Sequence, residues 1–240
     1  MATDHASTDE STDPYCLDPG EAVALLAGHP WRRFVVLGDS VAEGLGDRMP
    51  GYYPAGWADR IADELRAVRP ELAYLNLGER DLRTAQVRQR QLAPALAFGP
   101  DLALVACGGN DALHPRFEPA EVRRELAAII EPLQQCGADV LTISVLVVSH
   151  YPAFPSWFRP TPSERMRALA EHTNAVAAKL GTLHIDLSDH PTGQQPHDEL
   201  LSEDGLHANA RSHAICAAEA IRRLGAHLGN TFPPRVSGPG

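Results

Sequence analysis

Five apolar runs of strand length, separated by stretches with helical period, constrain this chain more than any other feature. They read "RFVVLG" (33–38), "LAYLNLG" (72–78), "DLALVACGG" (101–109), "DVLTISVLVV" (139–148) and "LHIDL" (183–187). Between and after them, Trp57, Ile61, Leu65 and Val68 recur at helical spacing, as do Val122, Leu126, Ile129 and Leu133. Met166, Leu169, Thr173, Val176 and Leu180 mark a third helix, and Ile215, Ala218, Ile221 and Leu224 a fourth. Pro132 is expected to kink or shorten the second of these, and "TPSE" to open the third. Strands alternating with helices at this interval predict repeated βα units, and so a mostly parallel sheet covered on both faces. The first and third runs are almost continuously apolar, as strands buried on both faces must be.

A chain of 240 residues, 44% apolar and 22% charged, can build one good-sized soluble core. Its apolar runs fall short of the roughly 18 residues that span a bilayer, so no membrane association is expected. The opening "MATDHASTDESTDPYC" has neither a basic nor an apolar signal region, which predicts a cytoplasmic protein. Asp4, Asp9, Glu10, Asp13, Asp18 and Glu21 all precede the first basic residue, Arg32. Residues 1–29 are therefore expected to form a mostly disordered acidic tail holding at most a short helix. Residues 30–228 form the globular domain on this reading, and the Gly- and Pro-rich 229–240 a flexible tail. A net charge of −10 without a basic stripe argues against nucleic acid as a partner. The cysteines (Cys16, Cys107, Cys136, Cys216) form no C-x-x-C pair and read as free thiols of a reducing compartment. The 11 histidines form no H-E-x-x-H or similar set, so neither a metal nor another cofactor is expected.

In open parallel sheets, ligands bind beyond the carboxyl ends of the strands, so the residues just after each run are the informative ones. They are Gly38-Asp39-Ser40, then Asn76 with "NLGERDLRT", then Gly108-Gly109-Asn110-Asp111, and finally Asp204-Gly205-Leu206-His207. Taken singly, each has a plain structural explanation. Ser40 can cap a helix, Gly-Gly-Asn-Asp can make a turn, and Asp204 can cap the last helix. Taken together, they supply what acyl transfer by serine requires: a hydroxyl, an imidazole to take its proton, a carboxylate to orient the imidazole, and oxyanion donors. The order Ser, Asp, His is one used by such triads. The absence of G-x-S-x-G excludes the α/β-hydrolase elbow.

The segments "GDSVAEG", "GGND" and "DGLHANARSH" resemble the motifs of the SGNH hydrolases, also called GDSL esterases and lipases, over residues 30 to 228. "GWADRIADEL" looks like the helix after the first motif in actinobacterial members. The resemblance implies a three-layer α/β/α, flavodoxin-like fold around a five-stranded parallel sheet. It implies Ser40 as nucleophile, His207 as general base and Asp204 as its orienting partner. It also implies an oxyanion hole formed by the Ser40 backbone N–H, the Asn110 side-chain amide and a backbone N–H of the second motif.

At that last place the chain departs from the family. The family has a glycine five residues after the asparagine that corresponds to Asn76, and here that residue is Asp81, with Gly78 nearby but out of register. The Asp81 N–H is expected to donate if its φ is negative, but its carboxylate is a difficulty. A fixed negative charge about 5 Å from a developing oxyanion costs on the order of 3 kcal/mol at an effective dielectric near 20, roughly a hundredfold in rate. Two outcomes stand open. Either Arg80 or Arg83 turns the carboxylate away, or it enters the pocket as a second acid or base.

The loop "SHYPAFPSWFRP" places Tyr151, Phe154 and Trp157 on the ligand side, either walling an apolar pocket or tucked against the core. The expected activity is a serine esterase for small or medium acyl esters, acting through an acyl-enzyme on a small-molecule substrate. The alternative, suggested by Asp81, is a non-hydrolytic enzyme of specialised metabolism performing acyl transfer, elimination, cyclisation or isomerisation.

Overall fold

The computed structural model describes residues 9–158 and 160–233. Each apolar run contributes one strand: β1 (Arg33–Gly38), β2 (Ala73–Asn76), β3 (Leu102–Ala106), β4 (Asp139–Ser144) and β5 (Leu183–Asp186). All neighbours pair in parallel, in the order β2-β1-β3-β4-β5. Helices α1 (Glu21–Leu25), α2 (Ser40–Glu43), α3 (Trp57–Val68), α4 (Thr84–Phe98), α5 (Gly109–Leu113), α6 (Pro119–Gln135), α7 (Pro162–Leu180) and α8 (Ala210–Leu228), with short 3₁₀ turns at Pro191–Gln194 and His197–Glu199, complete the described elements.

The two-residue alternation of the strands sorts their side chains into two cores. Val35, Leu37, Ala103, Val105 and Val140 pack with α4, α6 and α7. Phe34, Val36, Leu102, Leu104, Leu141 and Ile143 pack with α1, α3 and α8. The result is the expected three-layer α/β/α sandwich on a five-stranded parallel sheet. Burying each large side chain, such as the enclosed Phe34 or Leu37, stabilises it by about 1.5–3 kcal/mol.

Helix α4 has no apolar stripe in the sequence, yet the strand order demands it, because the chain must cross over β1 to get from β2 to β3. It does so with Val87, Gln91 and Ala95 buried at successive i, i+4 positions. Helix α6 is not shortened by Pro132 but runs on to Gln135. Buried Ile129, Ile130 and Leu133 hold this last turn onto the sheet, which offsets the missing Pro132 N–H. Helix α7 begins as "TPSE" predicts: the Thr161 hydroxyl accepts from the Glu164 N–H, and Glu164 accepts from the Thr161 N–H.

The expectation of a mostly disordered stretch before residue 30 is corrected over 9–29; residues 1–8 lie outside the described residues. Asp13 is fully buried and accepts from Arg211 Nε at 2.7 Å and from the Tyr52 hydroxyl at 2.8 Å. Glu10 pairs with Arg60 at 2.6 Å and Glu21 with Arg222 at 2.7 Å. The acidic residues that make the segment look solvated are the ones that hold it down, because their basic partners lie far away in the sequence. Likewise, Asn230 at the start of the expected C-terminal tail donates to the Leu25 and Ala27 carbonyls. Residues 234–240 of that tail lie outside the described residues. No described helix is long and apolar enough to cross a membrane.

Candidate active site

The strand order reverses at β1: the chain leaves it for β2 on one side and then returns through α4 to β3 on the other. Such a switch point opens a crevice at the carboxyl edge, and Ser40 follows β1 while Asn110 follows β3. Two backbone approaches set the crevice. A Cβ on Gly38 would lie 1.9 Å from the Ala106 carbonyl oxygen, so only glycine lets β1 end this close to β3. Gln91, buried under β1, holds Gly38 by both its N–H and its carbonyl. The Gly38 N–H donates to Gln91 Oε1 at 2.8 Å, and Gln91 Nε2 donates to the Gly38 carbonyl at 2.9 Å.

Ser40 does not cap the helix it opens. That task falls to Asp39, whose Oδ1 accepts from the Val41 N–H at 3.0 Å, which leaves the Ser40 hydroxyl for another partner. Its partner is His207 Nε2 at 3.2 Å, and His207 Nδ1 lies 2.5 Å from Asp204 Oδ2. The other Asp204 oxygen accepts from the N–H groups of Leu206 and His207 at 2.9 and 3.0 Å. Burial raises the Asp204 pKa, but hydrogen bonds from the His207 ring and these two amides outweigh it and hold the group below the usual carboxylate range. An ionised Asp204 selects the tautomer with the proton on Nδ1, leaving the Nε2 lone pair facing the Ser40 hydroxyl.

Asp39 itself is fully enclosed. Burial pushes its pKa up to about 6, against partial relief from the Val41 and Gly108 amides and from His207. His213, one turn into α8, accepts from the Trp57 N–H and donates to the Leu45 carbonyl, tying the loop after Ser40 to the helix after His207. Burial lowers its pKa to about 4, so it is neutral in this role.

The second-motif loop is braced from both sides. Asn76 Nδ2 donates to the Ala42 carbonyl, and Asn76 Oδ1 accepts from the Gly78 N–H. Asn110 Nδ2 donates one proton to the Leu82 carbonyl at 3.0 Å, and Asp111 accepts from the N–H and hydroxyl of Thr84. The second Asn110 N–H remains, on a residue that shares the cavity wall with Ser40.

Asp81 does not meet the condition set for its N–H to serve as an oxyanion donor, a negative φ. At φ 67° it is the only non-glycine residue with positive φ among those described. The backbone at this position takes the left-handed shape natural to glycine, and aspartate tolerates it at about 1 kcal/mol. Its carboxylate is turned outward, 82% exposed and 3.4 Å from Arg80 Nε, and Asp81 does not line the cavity.

That cavity, about 120 Å³, starts at Ser40 and His207 and runs over the ends of β3 and β4 beneath α7. Tyr151 lines it; the expectation for Phe154 and Trp157 is corrected. Phe154 packs on the core and against Phe158, and Trp157 is 77% exposed. The walls come instead from Leu113, Met166, Leu169 and Leu206. Met166 and Leu169 sit on the buried face of α7, where periodicity does not distinguish a pocket wall from solid core. Gln91 was equally hidden, although a polar residue in register between Val87 and Ala95 was its signal. Among the described residues, no group of three His, Cys, Asp or Glu side chains is placed to hold a metal ion.

A family model described as GDSL-like Lipase/Acylhydrolase matches residues 36–215. Among solved structures, the chain is similar to the lipase/acylhydrolase from Enterococcus faecalis, at 24% identity over 86% of this chain and 100% of that one, with a TM-score of 0.66. It is similar to a catalytic mutant of an acetylxylan esterase from Geobacillus stearothermophilus, at 16% identity over 83% and 95%, with a TM-score of 0.65. A psychrotrophic esterase from Pseudoalteromonas sp. aligns at 16% identity over 83% and 100%, with a TM-score of 0.62. At such identities these structures speak to the fold. No curated protein matches the sequence. The family match spans the chain from the strand before Ser40 to the helix after His207, and the protein therefore belongs to the GDSL-like lipase/acylhydrolase family, the SGNH hydrolases its motifs resemble.

Proposed function

We propose that the protein hydrolyses small or medium acyl esters through a Ser40 acyl-enzyme. Ser40 Oγ attacks the ester carbonyl while His207 Nε2 takes its proton, and Asp204 stabilises the imidazolium that forms. The free Asn110 N–H and the backbone N–H of Ser40 receive the oxyanion. His207 then protonates the departing alcohol. Water, activated by the same imidazole, releases the acid.

The observation that carries this reading is the Ser40–His207–Asp204 relay, 3.2 and 2.5 Å long, opening on an apolar cavity of about 120 Å³. A cavity of about 150 Å³ lined by apolar side chains takes a benzene ring, so this one suits a short chain better than an octanoyl group. The outward Asp81 carboxylate favours hydrolysis over the non-hydrolytic alternative, which called for an acid inside the pocket. Four unpaired thiols accord with action in the cytoplasm, which cell fractionation tests.

The test is turnover of p-nitrophenyl acetate, butyrate and octanoate by the wild type, Ser40→Ala, His207→Ala and Asp81→Gly. Butyrate should exceed octanoate, and the two catalytic variants should each lose at least a thousandfold. Asp81→Gly should stay within about threefold of the wild type, since an exposed, paired charge exerts little force on the site. Retained turnover in Ser40→Ala, or a wild type that is silent until Asp81 is replaced, would overturn the proposal.

A further inference from the structure

One wall of the cavity belongs to the start of α7, where Met166 and Leu169 meet the turn that leads from β3 to Asn110. A Cβ on Gly108 would fall 2.9 Å from Leu169 Cδ1, well inside the contact distance of two carbons, so the helix side chain already fills that space. At Gly109 an added Cβ would lie 3.8 Å from Met166 Cε and 3.9 Å from Asp39 Oδ2. Gly109 precedes Asn110 and Asp39 precedes Ser40. The tip of Met166 therefore stands at the catalytic end of the cavity, between the residues next to the nucleophile and next to the oxyanion amide.

Two anchors hold this turn of α7 in place. Arg165, just before Met166, donates from Nη1 to the carbonyls of Ala112 and His114 at 3.0 and 2.6 Å, which ties the helix to α5 and so to Asn110. The Ser163 hydroxyl donates to the Val148 carbonyl at 2.8 Å, and Val148 lines the same cavity. With its backbone pinned on both sides, the wall at Met166 cannot retreat as a unit. Only the thioether itself can adjust.

A straight acyl chain and its branched isomer have the same atoms and nearly the same volume, so a cavity of about 120 Å³ does not separate them by size. What separates them is the width available next to the carbonyl. We propose that Met166 sets this width, so that the enzyme takes short straight chains and discriminates against acyl groups branched at the α-carbon. The inference rests on the esterase reading, which puts the carbonyl carbon on Ser40 Oγ and its oxygen at Asn110. From there an unbranched chain leaves in one direction, along the cavity, whereas a second substituent on the α-carbon needs the room that Met166 holds. Because the thioether is flexible, the discrimination is graded: a single branch is slowed, and the tert-butyl group of pivalate, which fills every direction, is slowed most.

The experiment measures kcat/KM for p-nitrophenyl butyrate, isobutyrate and pivalate, with acetate as the reference. Each value is divided by the rate of the same ester with hydroxide, so that intrinsic reactivity cancels. One misplaced methyl group in an apolar pocket changes kcat/KM by roughly 10–200-fold, so the wild type should favour butyrate over isobutyrate by about tenfold or more. Met166→Ala, which removes Cγ, Sδ and Cε, should cut that preference about fivefold and raise pivalate by a larger factor. Leu169→Ala opens the wall one turn further along α7 and should leave the butyrate-to-isobutyrate ratio within about threefold of the wild type. Should Met166→Ala fail to fold, Met166→Val also withdraws the thioether and reads the same ratio. Ser40-dependent acetate turnover with a wild-type ratio near one overturns this inference alone. So does a ratio that the Met166 variants leave unchanged, or that Leu169→Ala shifts as much. Acetate turnover that is missing, or that survives in Ser40→Ala, overturns the esterase reading beneath it.

Discussion

Replacing Asp13 with alanine should loosen the loop that carries Asp204 and His207 from a distance. The Asp13 carboxylate is fully buried and accepts from Arg211 Nε at 2.7 Å, the Tyr52 hydroxyl at 2.8 Å and the Tyr15 N–H at 3.0 Å. Removing one member of a buried ion pair commonly costs about 3–5 kcal/mol. Here the lower end applies, because Arg211 keeps Glu199 and Gln195, each at 2.8 Å. About 3 kcal/mol corresponds to a fall in Tm of roughly 6–12 °C for a chain of this size.

The pH dependence carries its own sign. Burial raises the Asp13 pKa, but the bonds from Arg211, Tyr15 and Tyr52 outweigh it and hold the group below the usual carboxylate range. A depressed folded pKa means the stabilisation is present above the unfolded value and is lost as pH falls through the folded one. Urea denaturation should therefore show a constant gap between wild type and Asp13→Ala from pH 7 down to about pH 4, narrowing below it. Arg211 lies four residues after His207, and its other partners lie just before Asp204, so kcat should fall more than KM rises. A gap below about 1 kcal/mol at pH 7 would refute the claim that this segment clamps the site.

Two further outcomes test the floor of the crevice. Gln91→Leu leaves the Gly38 N–H without its acceptor, while the Gly38 carbonyl keeps the Glu79 N–H, so about 1–3 kcal/mol of stability should be lost along with esterase kcat. Urea denaturation and p-nitrophenyl acetate turnover read the two effects, and a neutral variant would show the clamp to be idle. The enclosed Asp39 has its pKa raised from 3.8 to about 6, so its stabilising protonation is complete below about pH 4 and lost as pH rises past 6. That makes the wild type lose about 3 kcal/mol relative to Asp39→Asn between those limits. Parallel stability–pH curves for the two proteins would contradict it.

The architecture was legible in the sequence because burial imposes local periods. Strands covered on both faces must be apolar throughout, and helices covering them must repeat every three or four residues. Ser40, Asn110, Asp204 and His207 could be picked out because a parallel sheet gathers whatever follows its strands at one edge. Four polar residues following three of the strands therefore point to a single place. What the sequence could not show depends on partners distant along the chain. Asp13 reads as one more acid in a solvated tail until Arg211, 198 residues later, is packed against it. Gln91 reads as a flaw in a weak helix until Gly38 arrives with one donor and one acceptor to match its amide. The outward turn of the Asp81 carboxylate follows from a positive φ and from bracing by Asn110 at the next residue, neither of which its residue type dictates. Met166 and Leu169 line a cavity and Trp157 stands in solvent, a division set by where the elements meet rather than by hydrophobicity. Local pattern determined the layers and the edge where the candidate site lies; the tertiary structure decided the clamps and the pocket walls, because hydrogen bonds and close packing hold only between groups that folding has brought together.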